Sequence, residues 1–102
     1  MKKYQPQVKK SLRNFLTMCK RLLDAKNAKE CKQVTENAIK NQLYGEIPQD
    51  GRLYMYCGQA NLELGYLIIA ESMLQRSVTY PEIEIDTHRL LALVYRDQGH
   101  FS

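Results

Sequence analysis

The sequence predicts an all-α fold of about five helices, and three observations predict it. Apolar residues recur at steps of three and four along most of the chain. No segment alternates apolar and polar residues for long, and no Asn-Gly or Asp-Gly turn joins two apolar runs, since Asp50-Gly51 precedes a helix-like stretch. Glycine and proline cluster between Gly45 and Gly51 and then punctuate the chain at Gly65, Pro81 and Gly99, leaving helix-sized pieces between them.

The first helix is expected over residues 8–24. Val8, Leu12, Phe15, Leu16, Cys19, Leu22 and Leu23 make one apolar stripe, and Lys9, Lys10, Arg13, Lys20 and Arg21 occupy the other side. A second, weaker helix is expected over 28–43, with Cys31, Val34, Ala38 and Ile39 inward and Glu36 to Lys40 as a favourable i,i+4 pair. The stretch YGEIPQDG breaks the pattern, and Asp50 is placed to cap the next helix. Three more helices follow, over 52–64, 67–79 and 84–98.

A chain of 102 residues has room for one domain and one modest core. Its 44% hydrophobic and 25% charged residues are those of an ordinary globular chain. No apolar run reaches the roughly 18 residues of a membrane span, and MKKYQPQVKK lacks the apolar stretch of a secretory signal. A cytoplasmic location is therefore expected. Cys19, Cys31 and Cys57 lack the spacing of a zinc site and are odd in number, so they are expected to be small apolar core residues. The net charge of +4 is uneven: residues 1–32 carry ten Lys and Arg against Asp24 and Glu30, a balance of +8, and residues 33–102 carry −4.

The chain also repeats itself. Shifted by 34 residues, Cys57 falls on Leu91, Gly58 on Ala92, Gly65 on Gly99 and Leu67 on Phe101. Small residues thus recur where two helices must approach closely, and glycine recurs at the turn. With Tyr54, Ala70, Leu74 and Ser77, this pattern resembles the tetratricopeptide repeat (TPR) family, whose unit is a pair of antiparallel helices. The departures are Asn61, where Tyr is usual, and Pro81, one place early. The resemblance implies a single TPR-like helical solenoid over 1–102: a divergent helix pair over 8–43, the best-matching repeat over 51–82 and the first half of a further repeat over 84–102. The related pentatricopeptide repeat fits the Ala and Gly positions less well.

In that family the first helix of each pair lines a concave groove that holds a peptide or helix of another protein. The resemblance places Arg13, Leu16, Lys20, Arg52, Met55, Tyr56, Gln59, Arg89, Leu90, Leu93 and Arg96 in the groove, an apolar floor with a cationic surround. Such a surface suits a helix or extended segment with acidic flanks. A chaperone carboxylate clamp is not implied, because Leu16 and Lys20 stand where Lys and Asn are needed. The expected function is a non-catalytic protein-binding module, an adaptor or scaffold for complex assembly. RNA binding through the basic N-terminal half is the alternative from another class.

The helix over 84–98 is apolar around more than half its circumference. Leu91, Val94, Tyr95 and Phe101 are therefore expected to form a self-association surface, or to be covered by a further helix or a partner. No catalytic residue, metal site or cofactor is expected. His88 and His100 lie twelve residues apart, with no nucleophile or carboxylate at motif spacing, and Gly58 and Gly65 are explained by packing and turn geometry.

Overall fold

Helical periodicity alone predicts where this chain coils, and the structure, a computed structural model describing residues 6–45 and 50–99, is helical throughout those residues except at its turns. In order they are α1 (Pro6–Asp24), α2 (Ala28–Lys40), α3 (Arg52–Leu64), α4 (Leu67–Ser77), a 3-10 turn (Pro81–Ile83) and α5 (Glu84–Asp97). There is no strand among the described residues.

Local chemistry sets the boundaries. Asn27 caps α2 by accepting the Glu30 N–H, while its own amide donates to the Glu30 carboxylate at 2.9 Å, a reciprocal cap. The helix stops at Lys40, three residues earlier than the periodicity predicts. Asn41 turns back to the Asn37 carbonyl and side chain, and Gln42 takes a left-handed φ of 52°, so Leu43 is left exposed outside the helix. The expected Glu36–Lys40 pair is replaced: Glu36 binds Lys32 on the preceding turn at 2.5 Å. At the other end of the chain α4 stops at Ser77 rather than 79, because the Thr79 hydroxyl donates back to the Arg76 carbonyl ahead of Pro81.

Asp50 caps α3 as predicted. Its carboxylate accepts the Arg52 N–H at 2.9 Å and is gripped by the Arg52 guanidinium at 2.5 to 3.1 Å. Burial pushes this carboxyl up, but the hydrogen bonds and charge of Arg52 outweigh that and hold it below its ordinary value. Asp50→Ala is expected to cost about 1 kcal/mol at neutral pH. A depressed carboxyl contributes in full above its unfolded pKa of about 3.9 and loses that contribution as pH falls through the folded value. Urea midpoints of the two proteins should therefore differ at pH 7 and converge in acid; a constant difference would show that the carboxylate does not act as an ion.

The core runs the length of the molecule. Leu12, Leu16, Cys19 and Leu23 of α1 meet Cys31 and Ala38 of α2; Leu53, Met55, Tyr56 and Ala60 of α3 sit in the middle; Ala70 and Leu74 of α4, Ile83, and Leu91 and Val94 of α5 close it. All three cysteines are free and fully buried, as expected from their spacing. Burial pushes the Cys57 thiol up to about 11, and a hydrogen bond with Cys19 raises Cys31, so both stay protonated near neutral pH.

Helix α3 is buried on almost every side because it touches all four other helices. Consecutive helices pack together, and so do the alternate helices α1 with α3 and α3 with α5. The whole is elongated, 47 × 26 × 21 Å. Gly58 lets α3 and α4 close up: a Cβ there would lie 2.6 Å from Leu74 Cγ and 3.3 Å from the Ala70 carbonyl oxygen. Gly65 and Gly99, 34 residues apart, end α3 and α5 with φ of 86° and 80°.

Candidate functional site

The alternate helices carry the residues that sequence reasoning selects, and burial divides them into two sets. Arg13 and Lys20 of α1 and Arg89 and Arg96 of α5 are exposed, while Gln59 of α3 and Leu90 and Leu93 of α5 are half-buried. Lys20 pairs with Asp24 at 3.6 Å and Arg96 with the neighbouring Asp97 at 3.4 Å, both in solvent, where such pairs hold weakly and yield to a better partner. Arg52 is held by Asp50 in the fork described above.

The expected apolar floor is a correction. Leu16, Met55 and Tyr56 are only 2%, 8% and 9% exposed and belong to the core, so they are not available to a ligand on this surface. The physical reason is that α3 has neighbours covering both its apolar sides, while Leu16 lies on the side of α1 that packs against α2 and α3. Burial also raises the Tyr56 phenol above its ordinary value, against the opposing pull of Arg52.

The self-association surface is corrected in the same way. Leu91 and Val94 are buried, packed into the core with Ile83 and α4 rather than turned outward. Tyr95 is half-buried and its hydroxyl accepts a hydrogen bond from Gln75 of α4 at 3.3 Å. Phe101 lies outside the described residues. What α5 does expose is a different stripe, with Ile85 (77% exposed), His88, Arg89, Ala92 and Arg96.

One feature went unread in the sequence. Where the first turn of α4 meets the last turn of α5, Tyr66, Ile68, Ile69 and Gln98 line an open hollow of about 770 Å³ with an apolar wall. Ile68 is 81% exposed, the most exposed large apolar side chain described. The signal was present as the run Leu64-Gly65-Tyr66-Leu67-Ile68-Ile69-Ala70: six of those seven residues are apolar or aromatic, and a helix start cannot turn them all inward. Lys32 of α2 lies over the Tyr66 ring, 4.9 Å from its centre.

Among the described residues two buried side-chain oxygens, Asn61 Oδ1 and Gln98 Oε1 at the hollow, have no hydrogen-bond donor from the chain, and the other fully buried polar side chains are satisfied within it. Ser77 and Thr87 hydrogen-bond each other at 2.7 Å between α4 and α5. Thr35 donates to the Cys31 carbonyl. Asn61 donates to the Cys57 carbonyl at 2.8 Å and to the Glu36 carboxylate at 3.1 Å, leaving its Oδ1 with no hydrogen-bond donor. Among the described residues no group of His, Cys, Asp and Glu is placed to hold a metal ion, and no helix is long and apolar enough to cross a membrane. No protein-family model, no curated protein and no solved structure matches this chain.

Proposed function

We propose that the chain is a TPR-type helical-repeat module, a non-catalytic adaptor whose α1, α3 and α5 present a shared surface to an acidic segment of another protein. The observation that carries the repeat reading is the contact of Gly58 with Ala70 and Leu74. Three positions named by the resemblance meet in one place, and the 34-residue shift carries the left-handed Gly65 onto the left-handed Gly99. The neighbouring of α1 with α3 and of α3 with α5 supports a shared face for the alternate helices.

The residues that the resemblance assigns to that face are exposed cations, Arg13, Lys20, Arg89 and Arg96, with Gln59 and Leu93 half-buried; Lys20 and Arg96 also hold Asp24 and Asp97 in weak solvent-exposed pairs. It suits carboxylates, which arginine binds in a bidentate fork. Phe15, the described aromatic residue of the basic half, favours a protein over RNA. Phe15 and Tyr44 are half-buried and packed on each other, ring centres 5.3 Å apart, and so do not offer the free faces on which bases stack.

A photo-crosslinking residue in place of Gln59 tests this, with the same residue in place of Lys40 on α2 as the control. In a lysate of the source cells, protein adducts are expected from position 59, weakened by Lys20→Glu and absent from position 40. Adducts of RNA in place of protein, or adducts indifferent to position, would overturn the proposal in favour of the basic-surface alternative or of neither.

A further inference from the structure

The repeat proposed above has a consequence for α5 that deepens the proposed function and rests on it. The stripe of Gly51, just before α3, with Tyr54 and Gly58 on it, is covered by α4 and the turn that follows α4. Tyr80 lies against Gly51, where a Cβ would come within 2.5 Å of its ring, and against the Tyr54 ring at 6.4 Å; Leu74 lies against Gly58. The 34-residue shift carries this stripe onto Ile85, His88 and Ala92 of α5, all exposed. The same helical face is buried in one unit and solvent-exposed in the other.

We infer that this stripe of α5 docks an amphipathic helix of a partner protein, antiparallel to α5 as α4 is to α3, with small residues along its contact line, carboxylates on the border that faces Arg89 and Arg96, and a large apolar residue at its N-terminal end. Each feature follows from a difference between the two stripes. Gly51 and Gly58 are replaced by the larger Ile85 and Ala92, so the docking helix must carry a smaller residue opposite Ala92 than the Leu74 that α4 sets against Gly58, and no ring opposite Ile85 such as Tyr80, in the turn after α4, sets against Gly51. Arg89 and Arg96, the latter in a weak solvent-exposed pair with Asp97, flank Ala92 on one side of the stripe, which calls for an acidic border on that side. The same cations disfavour a second copy of this chain, since a symmetric pairing of two α5 stripes would bring Arg89 and Arg96 toward their own equivalents.

The hollow supplies the anchor. α4 and α5 run antiparallel, with Ser77 against Thr87 at one end and Ile68 and Ile69 beside Gln98 at the other. A helix antiparallel to α5 therefore starts beside Gln98, where Tyr66, Ile68 and Ile69 form an apolar seat for one large side chain, with Glu71 at its edge disfavouring a carboxylate there.

The probe is a fluorescein-labelled, amidated 15-residue helical peptide with Phe as its second residue, Ala along one stripe and Glu on the border that faces Arg89 and Arg96; a second peptide has Lys for every Glu. Fluorescence anisotropy on the full chain is expected to show binding of the Glu peptide alone, weakened at least about tenfold by Ala92→Tyr, by Ile68→Asp and by Arg96→Glu. The variants are confirmed as folded by circular dichroism before titration. Equal affinity for both peptides, or binding unmoved by Ala92→Tyr, would overturn the inference. So would a concentration-dependent dimer abolished by Ala92→Tyr, which would make a second copy the occupant, or binding seen only after Phe101→Ala, which would make it the chain's own downstream segment. Ala92 and Ile68 lie outside the groove residues proposed above, so adducts at position 59 that survive a failed peptide test leave the adaptor reading standing.

Discussion

Replacing Gly58 by leucine is expected to lower the unfolding free energy by about 3 kcal/mol, the upper range for forcing new atoms into a packed helix contact. A Cβ alone would stand 2.6 Å from Leu74 Cγ and 2.7 Å from Leu74 Cδ2, and the Ala70 carbonyl on the far side, at 3.3 Å, is backbone and does not give way. Leucine is a better helix former than glycine by somewhat under 1 kcal/mol, which offsets only part of the clash. Leu74 is fully buried, so Leu74→Ala is itself expected to cost about 2 to 5 kcal/mol. The two losses should not add, because the leucine at 58 fills the space vacated at 74; a coupling of about 1 to 3 kcal/mol is expected in the double variant. Urea unfolding of the four proteins decides it. Simple additivity would mean that the two helices are not locked together at this point.

That contact was largely legible in the sequence, since a glycine in mid-helix with a small residue and a leucine at repeat spacing downstream describes a close crossing. Helix positions were legible for a related reason. The period of three and four marks one buried side, and Asp50, Gly65 and Pro81 mark ends by what their backbones and side chains can do. The end of α2 escaped because Leu43 keeps the apolar phase, and the phase says nothing about Asn41 and Gln42, whose local hydrogen bond and left-handed φ stop the helix first.

The candidate site was less legible. Met55 and Tyr56 lie on a helix buried on nearly all sides, and periodicity cannot distinguish a side covered by α4 from one covered by α1, α2 or α5. Leu91 and Val94 were read as surplus apolar surface, but α4 and Ile83 cover them. The open stripe of α5 lies elsewhere, on residues too mixed in polarity to stand out: an isoleucine, a histidine, an alanine and two arginines. Only comparison with the covered stripe of α3 identifies it.

Asn61→Asp is expected to be as damaging as the glycine variant, about 3 kcal/mol or more at neutral pH, for an electrostatic reason. Asn61 is fully buried, and its amide nitrogen joins α3 to α2 by donating to Glu36 as well as to the Cys57 carbonyl. An aspartate there loses both donated bonds and sets a carboxylate against the Glu36 carboxylate and a carbonyl oxygen, in a place where the native Oδ1 already lacks a donor. Lys32 sits on the far partner, 2.5 Å from Glu36, and neutralises only one of the two charges. The new carboxyl should have its pKa raised well above the ordinary value of about 3.9. The folded variant then holds a proton that the unfolded chain releases, so its stability deficit grows as pH rises from about 4 and levels off above the raised pKa. Asn61→Leu removes the same donated bonds without adding charge, and it also removes the buried Oδ1 that has no donor. Its expected effect is within about 1 kcal/mol of native at every pH, because Glu36 keeps Lys32 and partial access to solvent. Urea midpoints of the three proteins at pH 4 and pH 7 separate the contributions: an aspartate variant no weaker at pH 7 than at pH 4 would show that the new carboxylate is not held as a buried charge beside Glu36 between α2 and α3.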